Sequence, residues 1–340
     1  MQFADHALRE LASVASARRV SCEAFAGAVG HRGGVRAGVE ARQGSEARQV
    51  AGDSQGDQVR HPPVADGEHG RLGDALTQLD RAVGSDLAGA VAEGAVGPAL
   101  EQLALVGADV DAGRHLRRER EQIEQARKLD GMLLCSPRLP DADVLELVGD
   151  TPYVVVNRQI DGAPCVLMDT EHGPAQAIEH LAALGHTHIA YAAGPRGSWA
   201  DVRRADTVAR ACERHGIRLT GLSHHAASIQ GGRAAAAPAA ASGATAVIAY
   251  NDLVALGLEA GLLELGKRCP ADISIVGIDD IDLAGAVTPA LTTVRMPIER
   301  SGALAVDLLL QAMNGTAIDD VVTLGSQLIV RASTAAPSAS

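Results

Sequence analysis

From about residue 118 onward, short apolar runs alternate with stretches in which apolar residues recur every three or four positions. The runs are 131–135 (GMLLC), 153–157 (YVVVN), 166–169 (VLMD), 188–193 (HIAYAA), 246–250 (AVIAY), 273–278 (ISIVGI) and 291–296 (LTTVRM). Several are apolar without interruption, the pattern of strands covered on both faces. The intervening stretches 173–184, 202–215, 253–265 and 298–313 have helical spacing. Gly185, Gly216, Gly266 and Gly315 follow them, where a glycine ends a helix most easily. Strand–helix alternation of this kind predicts an α/β fold with parallel sheets flanked by helices.

Residues 1–117 read differently. Their middle, AGVEARQGSEARQVAGDSQGDQVRHPPVADGEHGRLGD, has few large apolar side chains and is broken repeatedly by Gly, Pro and Asp. Such a segment buries little apolar area against its chain entropy. Two pieces, about 7–29 and 86–105, have helical patterns built mostly on Ala and Val. We leave 1–117 as an unassigned segment.

Composition narrows the classes. With 46% hydrophobic and 21% charged residues, the 340-residue chain is globular rather than disordered or fibrous. No uncharged apolar run approaches the ~18 residues of a membrane helix, and MQFADHALRE lacks the basic-then-apolar order of a secretory signal. Five scattered cysteines suit reduced thiols in the cytoplasm. A net charge of −12 argues against a surface devoted wholly to nucleic acid, though not against a small basic module on an acidic body.

In open α/β sheets, ligands sit at the carboxyl ends of the strands. Four such ends here are polar: Asn157-Arg158, Arg203-Arg204 (reached through Pro195 and Trp199), Asn251-Asp252 and Asp279-Asp280. Carboxylate acceptors, amides and guanidinium forks suit a small hydroxylated ligand. Each Asn or Asp taken singly is equally a helix cap or turn former; it is their succession that points to a site.

The stretches GHTHIAYAAGPRGSWADVRRA, AVIAYNDLVALGLEAGLLELG, ADISIVGIDDIDLAGAVTPALTTVRMP and LIVRAST resemble the LacI/GalR bacterial transcription regulators. The resemblance runs in order over about 118–334. It implies a periplasmic-binding-protein-like type I sensing domain. Its C-terminal subdomain would be complete (158–290 plus 322–334) and its N-terminal subdomain partial (118–157 plus 291–321), with 335–340 as a tail. It also implies an effector site at Asn157, Arg204, Asn251 and Asp279, with Asp252 and Asp280 as caps or structural groups. The stretch 298–313 is similar to the family's subunit-interface helix, which would place Gly302, Ala303 and Ala305 in a homodimer contact; the plainer reading is an amphipathic helix packed within one chain. The implied partners are a small effector, most simply a sugar, and operator DNA where a headpiece functions. No cofactor, metal, membrane contact or enzymatic activity is implied. A solute-binding module without DNA binding, and a decayed regulator, are the alternatives.

Departures from the family pattern are visible. Ala200 stands where Ser is common, Asp206 where relatives carry Gly, and HHAASIQ before Gly231-Gly232 has no Phe, Tyr or Trp. Neither the helix-turn-helix sequence nor the first sensor strand is recognisable in 1–117, so DNA-binding residues are unassigned. The low aromatic content and Ala/Gly/Arg/Asp bias fit an out-of-frame or decayed reading of that segment; a divergent native segment is the alternative. Other chemistries lack their motifs. Gly27, Gly30 and Gly33 follow no clear strand, there is no P-loop, and His180, His186 and His188 lack metal-site spacing. If the segment is out of frame, resequencing will shift the frame before residue 117. Mass-spectrometric detection of the intact 1–117 peptides from the native host would overturn that.

Overall fold

The computed structural model describes residues 91–96, 100–107, 115–316, 318 and 321–338. Its elements are β1 (Val91–Val96), β2 (Leu100–Gly107), α1 (His115–Ala126), β3 (Gly131–Cys135), α2 (Asp141–Val148), β4 (Tyr153–Val156), β5 (Cys165–Met168), α3 (His172–Ala183), β6 (His188–Ala192), α4 (Trp199–Arg214), β7 (Arg218–Gly221), α5 (Ile229–Ala241), β8 (Ala246–Ala249), α6 (Asp252–Glu264), β9 (Ser274–Asp279), α7 (Asp282–Ala286), β10 (Thr292–Arg295), α8 (Ile298–Met313), β11 (Val321–Leu324) and β12 (Gln327–Ile329).

The strands form two six-stranded sheets, ordered β1-β2-β3-β4-β5-β11 and β12-β10-β9-β8-β6-β7. Pairing is parallel except at β1/β2 and β10/β12. In the second sheet, successive residues of each strand serve opposite cores. Ile189, Tyr191, Ile248 and Val276 face α3 and α4, among Ile178, Leu181 and Val208. Ala190, Ala192, Val247 and Ile275 face α5 and α6, among Ala235, Leu258 and Leu262. Both faces are dry, which is why these strands carry continuous apolar runs. The first sheet repeats the plan, with Met132, Leu134 and Val155 against α1 and α2 and Leu133, Val154 and Val156 against α8.

Three expectations change. The described part of the expected helix at 86–105 is strand: Val91–Val96 pairs antiparallel with Leu100–Gly107, which runs parallel to β3. Sheet pairing outweighs the weak helix preference of Ala-rich sequence. The first sheet therefore draws strands from before residue 118 and is not a half-sheet of later strands alone. The subdomain boundaries also move. β5 pairs with β4 and β11 in the first sheet, and β10 with β9 and β12 in the second. The chain thus crosses between sheets at 169–171, 296–297 and 325–326 rather than at 157/158, 290/291 and 321/322. An apolar run looks the same in either sheet, so pairing alone decides membership.

The third change concerns α8. Ala305 is fully buried against Leu133, Val154 and Val156, and Gly302 is buried as well. Both serve packing within the chain, because the small-residue stripe lies on the side of α8 that meets the sheet; of the three expected dimer residues only Ala303 keeps partial exposure. The expected helix-ending glycines take left-handed φ values: 92° at Gly185, 63° at Gly216, 74° at Gly266 and 78° at Gly315. The pattern at 7–29 lies outside the described residues.

α5 and α6 meet backbone to backbone. A Cβ at Gly257 would sit 1.9 Å from the Ile229 carbonyl oxygen, and one at Gly232 would sit 2.1 Å from that of Val254. Backbone cannot yield as a side chain does, so Gly257→Ala is expected to cost about 3 kcal/mol, the upper end for overpacking. Urea unfolding checks this; a variant within 0.5 kcal/mol of the parent, the scale of a neutral surface change, would contradict it.

Candidate effector site

The candidate site is built at the carboxyl ends of β6, β8 and β9. Ser198 caps α4 by accepting the Asp201 amide at 3.2 Å. One and a half turns on, Arg204 turns inward and is only 3% exposed. Its Nη1 donates to the Tyr250 carbonyl oxygen at 2.8 Å, and its Nη2 lies 3.5 Å from Asp279 Oδ1. The guanidinium also stands over the Tyr250 ring, 5.1 Å from its centroid. The Arg204 Nε is buried and makes no hydrogen bond among the described residues.

Burial disfavours the Arg204 charge, but Asp279 and the Tyr250, Tyr191 and Asp201 groups more than restore it, and the guanidinium is held above its ordinary range. Asp279 shows the opposite balance. Burial raises its carboxyl above the usual carboxylate range, and Arg204 only partly offsets this. Its side chain retains 25% exposure, so one edge of the carboxylate remains open.

Asn251 caps α6. Its Oδ1 accepts the Val254 amide at 3.0 Å, which leaves Nδ2 as the group free of the cap. The cap reading and the site reading thus apply to opposite ends of one side chain.

Asn157 lies elsewhere, at the end of β4 in the first sheet. Its φ is 58°, its Nδ2 donates to Ser136 Oγ at 3.0 Å, and its Oδ1 is buried without a partner among the described residues. Nothing in the structure joins it directly to Arg204, Asn251 or Asp279. Trp199, at the start of α4, packs against the first-sheet core and so spans the two sheets.

The remaining polar strand-end residues are structural. Arg158 donates to the Pro137 and Leu139 carbonyls, each at 2.7 Å, and pairs with Asp141. Asp280 is clamped between Arg295 and Arg331, each at 2.6 Å. Asp252 has no exposure; it accepts the Thr293 hydroxyl and the Ile281 amide, the latter at 2.9 Å. His186 is buried, its ring bonded to Thr245 and the Ala335 carbonyl.

Sequence reasoning passed over Asp201 and Tyr250. Asp201 accepts the Tyr191 hydroxyl at 2.9 Å and the Gly194 amide at 2.8 Å, tying the end of β6 to α4. The spacing Ser198-x-x-Asp201 is a capping signal that marks the helix start. No signal foretold Tyr250, whose role depends on its carbonyl and ring lying beneath Arg204. Among the described residues, no group of three His, Cys, Asp or Glu side chains is placed to hold a metal ion, and no helix is long and apolar enough to cross a membrane.

Two mainly parallel α/β sheets joined by three crossovers, with polar residues at the carboxyl ends of the strands, define a fold of the periplasmic-binding-protein type. Comparison with known proteins carries this further. A periplasmic binding protein-like domain family matches residues 178–334. The HTH-type transcriptional regulator reg1 of Streptomyces lividans is 33% identical over 195 residues, 54% of this chain and 56% of reg1. A LacI family regulator of Enterococcus faecium with bound ribose aligns at TM-score 0.60 and 29% identity, over 64% of this chain and 84% of that one. The CelR–cellobiose complex aligns at TM-score 0.58 and 30% identity, over 63% of this chain and 70% of CelR. The chain belongs to the LacI/GalR family of transcriptional regulators. It spans about half the length of the curated relatives it matches.

The buried acids set a pH dependence. Burial, reinforced by the charge of Asp279, pushes the Asp252 carboxyl from 3.8 up to about 7. The folded chain therefore holds a proton that the unfolded chain has already released between about pH 4 and 7. Stability is expected to fall as pH rises through that window, by on the order of a few kcal/mol, and to level off above it. Urea unfolding at pH 5 and pH 7.5 measures the slope. Burial also pushes the Glu259 carboxyl up to about 7, so Asp252→Asn should reduce the slope and leave the Glu259 share; an unaltered slope in that variant would refute the assignment.

Proposed function

We propose that the sensing domain binds a small polyhydroxylated effector, a sugar or nucleoside-like molecule, between its two subdomains and thereby modulates the affinity of a regulator for operator DNA. The observation that carries this reading is the Arg204–Asp279 pair. A dry guanidinium with an unpaired Nε stands beside a carboxylate with one open edge. An unsatisfied buried donor costs about 1–3 kcal/mol, which a ligand oxygen recovers. Carboxylate acceptor and guanidinium donor side by side match two neighbouring hydroxyls. Sugars occupy three of the similar solved structures, ribose in two and cellobiose in the third.

Asn157 completes the site from the first sheet, its unpartnered Oδ1 accepting from the effector when the subdomains close. The effector shifts the DNA equilibrium only by its difference in affinity for the closed and open arrangements. The protein acts as a cytoplasmic homodimer and catalyses no reaction.

Trp199 is the single tryptophan and stands one turn from Arg204, so its fluorescence reports ligand binding. Titration with D-ribose, D-galactose, maltose, cellobiose and adenosine is expected to give saturable binding for at least one. Asp279→Ala should weaken it by roughly 10- to 150-fold, the loss of a charge-assisted hydrogen bond. Unchanged affinity in that variant would sink the site. Saturable binding with no effect on a gel shift of upstream DNA would instead identify a solute-binding module.

A further inference from the structure

Asp279 and Asp280 are consecutive non-glycine residues with positive φ, 124° and 58°. Each such residue is strained and persists only where its surroundings over-determine it. The groups that do so are visible. The Asp280 side chain is held by Arg295 and Arg331. The backbone of the turn is held by Asp252: its Oδ2 accepts the Ile281 amide at 2.9 Å, and its Oδ1 accepts the Thr293 hydroxyl, whose oxygen accepts the Asp280 amide at 3.4 Å. We propose that Asp252 is a positioning residue for the effector site, holding Asp279 against Arg204 through the Thr293 hydroxyl and the Ile281 amide. This rests on the reading of Asp279 as an effector contact.

The ordinary role of an acid in the first turn of a helix is to satisfy that helix's own amides. Asp252 does not do this; Asn251 takes the Val254 amide, and both Asp252 oxygens go to other elements. The protein also makes room for it. A Cβ at Gly277 would lie 2.1 Å from Asp252 Oδ1, so β9 carries a glycine where the carboxylate crosses. With Asp252 and Thr293 both fully buried, water cannot substitute for either partner. Because Asp252 follows Asn251 directly, one dipeptide fixes both arms of the site: Asn251 presents its amide, and Asp252 sets the turn that presents Asp279.

The test uses the full chain with D-ribose and cellobiose as probes, read by Trp199 fluorescence. Thr293→Val keeps the shape and removes the hydroxyl; Thr293→Ser restores it. Thr293→Val and Asp252→Asn should weaken binding by about tenfold or more, while Thr293→Ser stays within about threefold of the parent. A purely structural role predicts lower Tm with unchanged affinity of the folded fraction, and that result would overturn the proposal. If Asp279→Ala binds as the parent does, the site reading fails instead, and the two failures are thereby told apart. If Asp252→Asn does not fold, the Thr293 pair decides. If neither probe binds the parent, amide hydrogen exchange at Asp280 and Ile281 decides: faster exchange in Thr293→Val, reversed in Thr293→Ser and confined to that turn, supports the relay, and unchanged exchange refutes it.

Discussion

A parallel strand covered on both faces has no position along its length where a polar side chain can reach water. In β6, β8 and β9 every interior residue but Gly277, where the Asp252 carboxylate crosses, faces one apolar core or the other. Polar chemistry is therefore confined to the strand ends, where the next helix begins and its first amides need acceptors. Tyr250-Asn251, Asp279-Asp280 and the Gly194–Ser198 turn occupy those ends. Confinement brings together side chains distant in sequence: Arg204 and Asp279 are 75 positions apart and 3.5 Å from each other.

Such a crowded polar end has to balance its charges. Arg204 faces Asp279 directly and feels Asp201, and Asp252 lies just behind. One guanidinium cannot neutralise three carboxylates in a dry setting. The structure resolves this by distributing roles. Asp201 Oδ1 accepts from both Tyr191 and Gly194 while its Oδ2 lies 3.6 Å from His224 Nδ1, Asp280 lies between two further arginines, and Asp252 keeps its proton to near neutral pH. That leaves the open edge of Asp279 as the acceptor with room for a ligand. Buried polar networks of this kind are costly when incomplete, which is why the unpaired Arg204 Nε carries the functional argument.

The crossovers between sheets are tied to each other. Asp169 accepts the Glu171 and His172 amides, and the Ser326 hydroxyl approaches its Oδ2 at 3.3 Å. Ser326 Oγ in turn accepts the Gly173 amide at 3.0 Å. Two of the three crossovers thus form one bonded unit, and movement of one subdomain against the other passes through it. Arg331, just beyond β12, donates to Asp280 and to the Leu291 carbonyl, so the last crossover is linked to the turn that presents Asp279.

Several elements were legible from residue order alone. Uninterrupted apolar runs such as AVIA and SIVGI mark two-sided burial wherever they fall, and 298–313 coincides with α8 because its period matches a helix. Other elements left little trace. Arg, Glu and Gln make up two thirds of α1, and its buried stripe is Glu119, Ile123 and Ala126, with Glu119 accepting the Arg138 and Leu139 amides. The strand-end positions of Arg204, Asn251 and Asp279 were readable because parallel sheets restrict polar residues to their ends. Only the tertiary structure decided that β5 and β10 belong to opposite sheets from those expected, that Ala305 faces its own core, that Asn251 spends its oxygen on a cap, and that Tyr250 lies beneath Arg204. Periodicity records how much of a residue is buried; which neighbour buries it is settled only by pairing across the sheets.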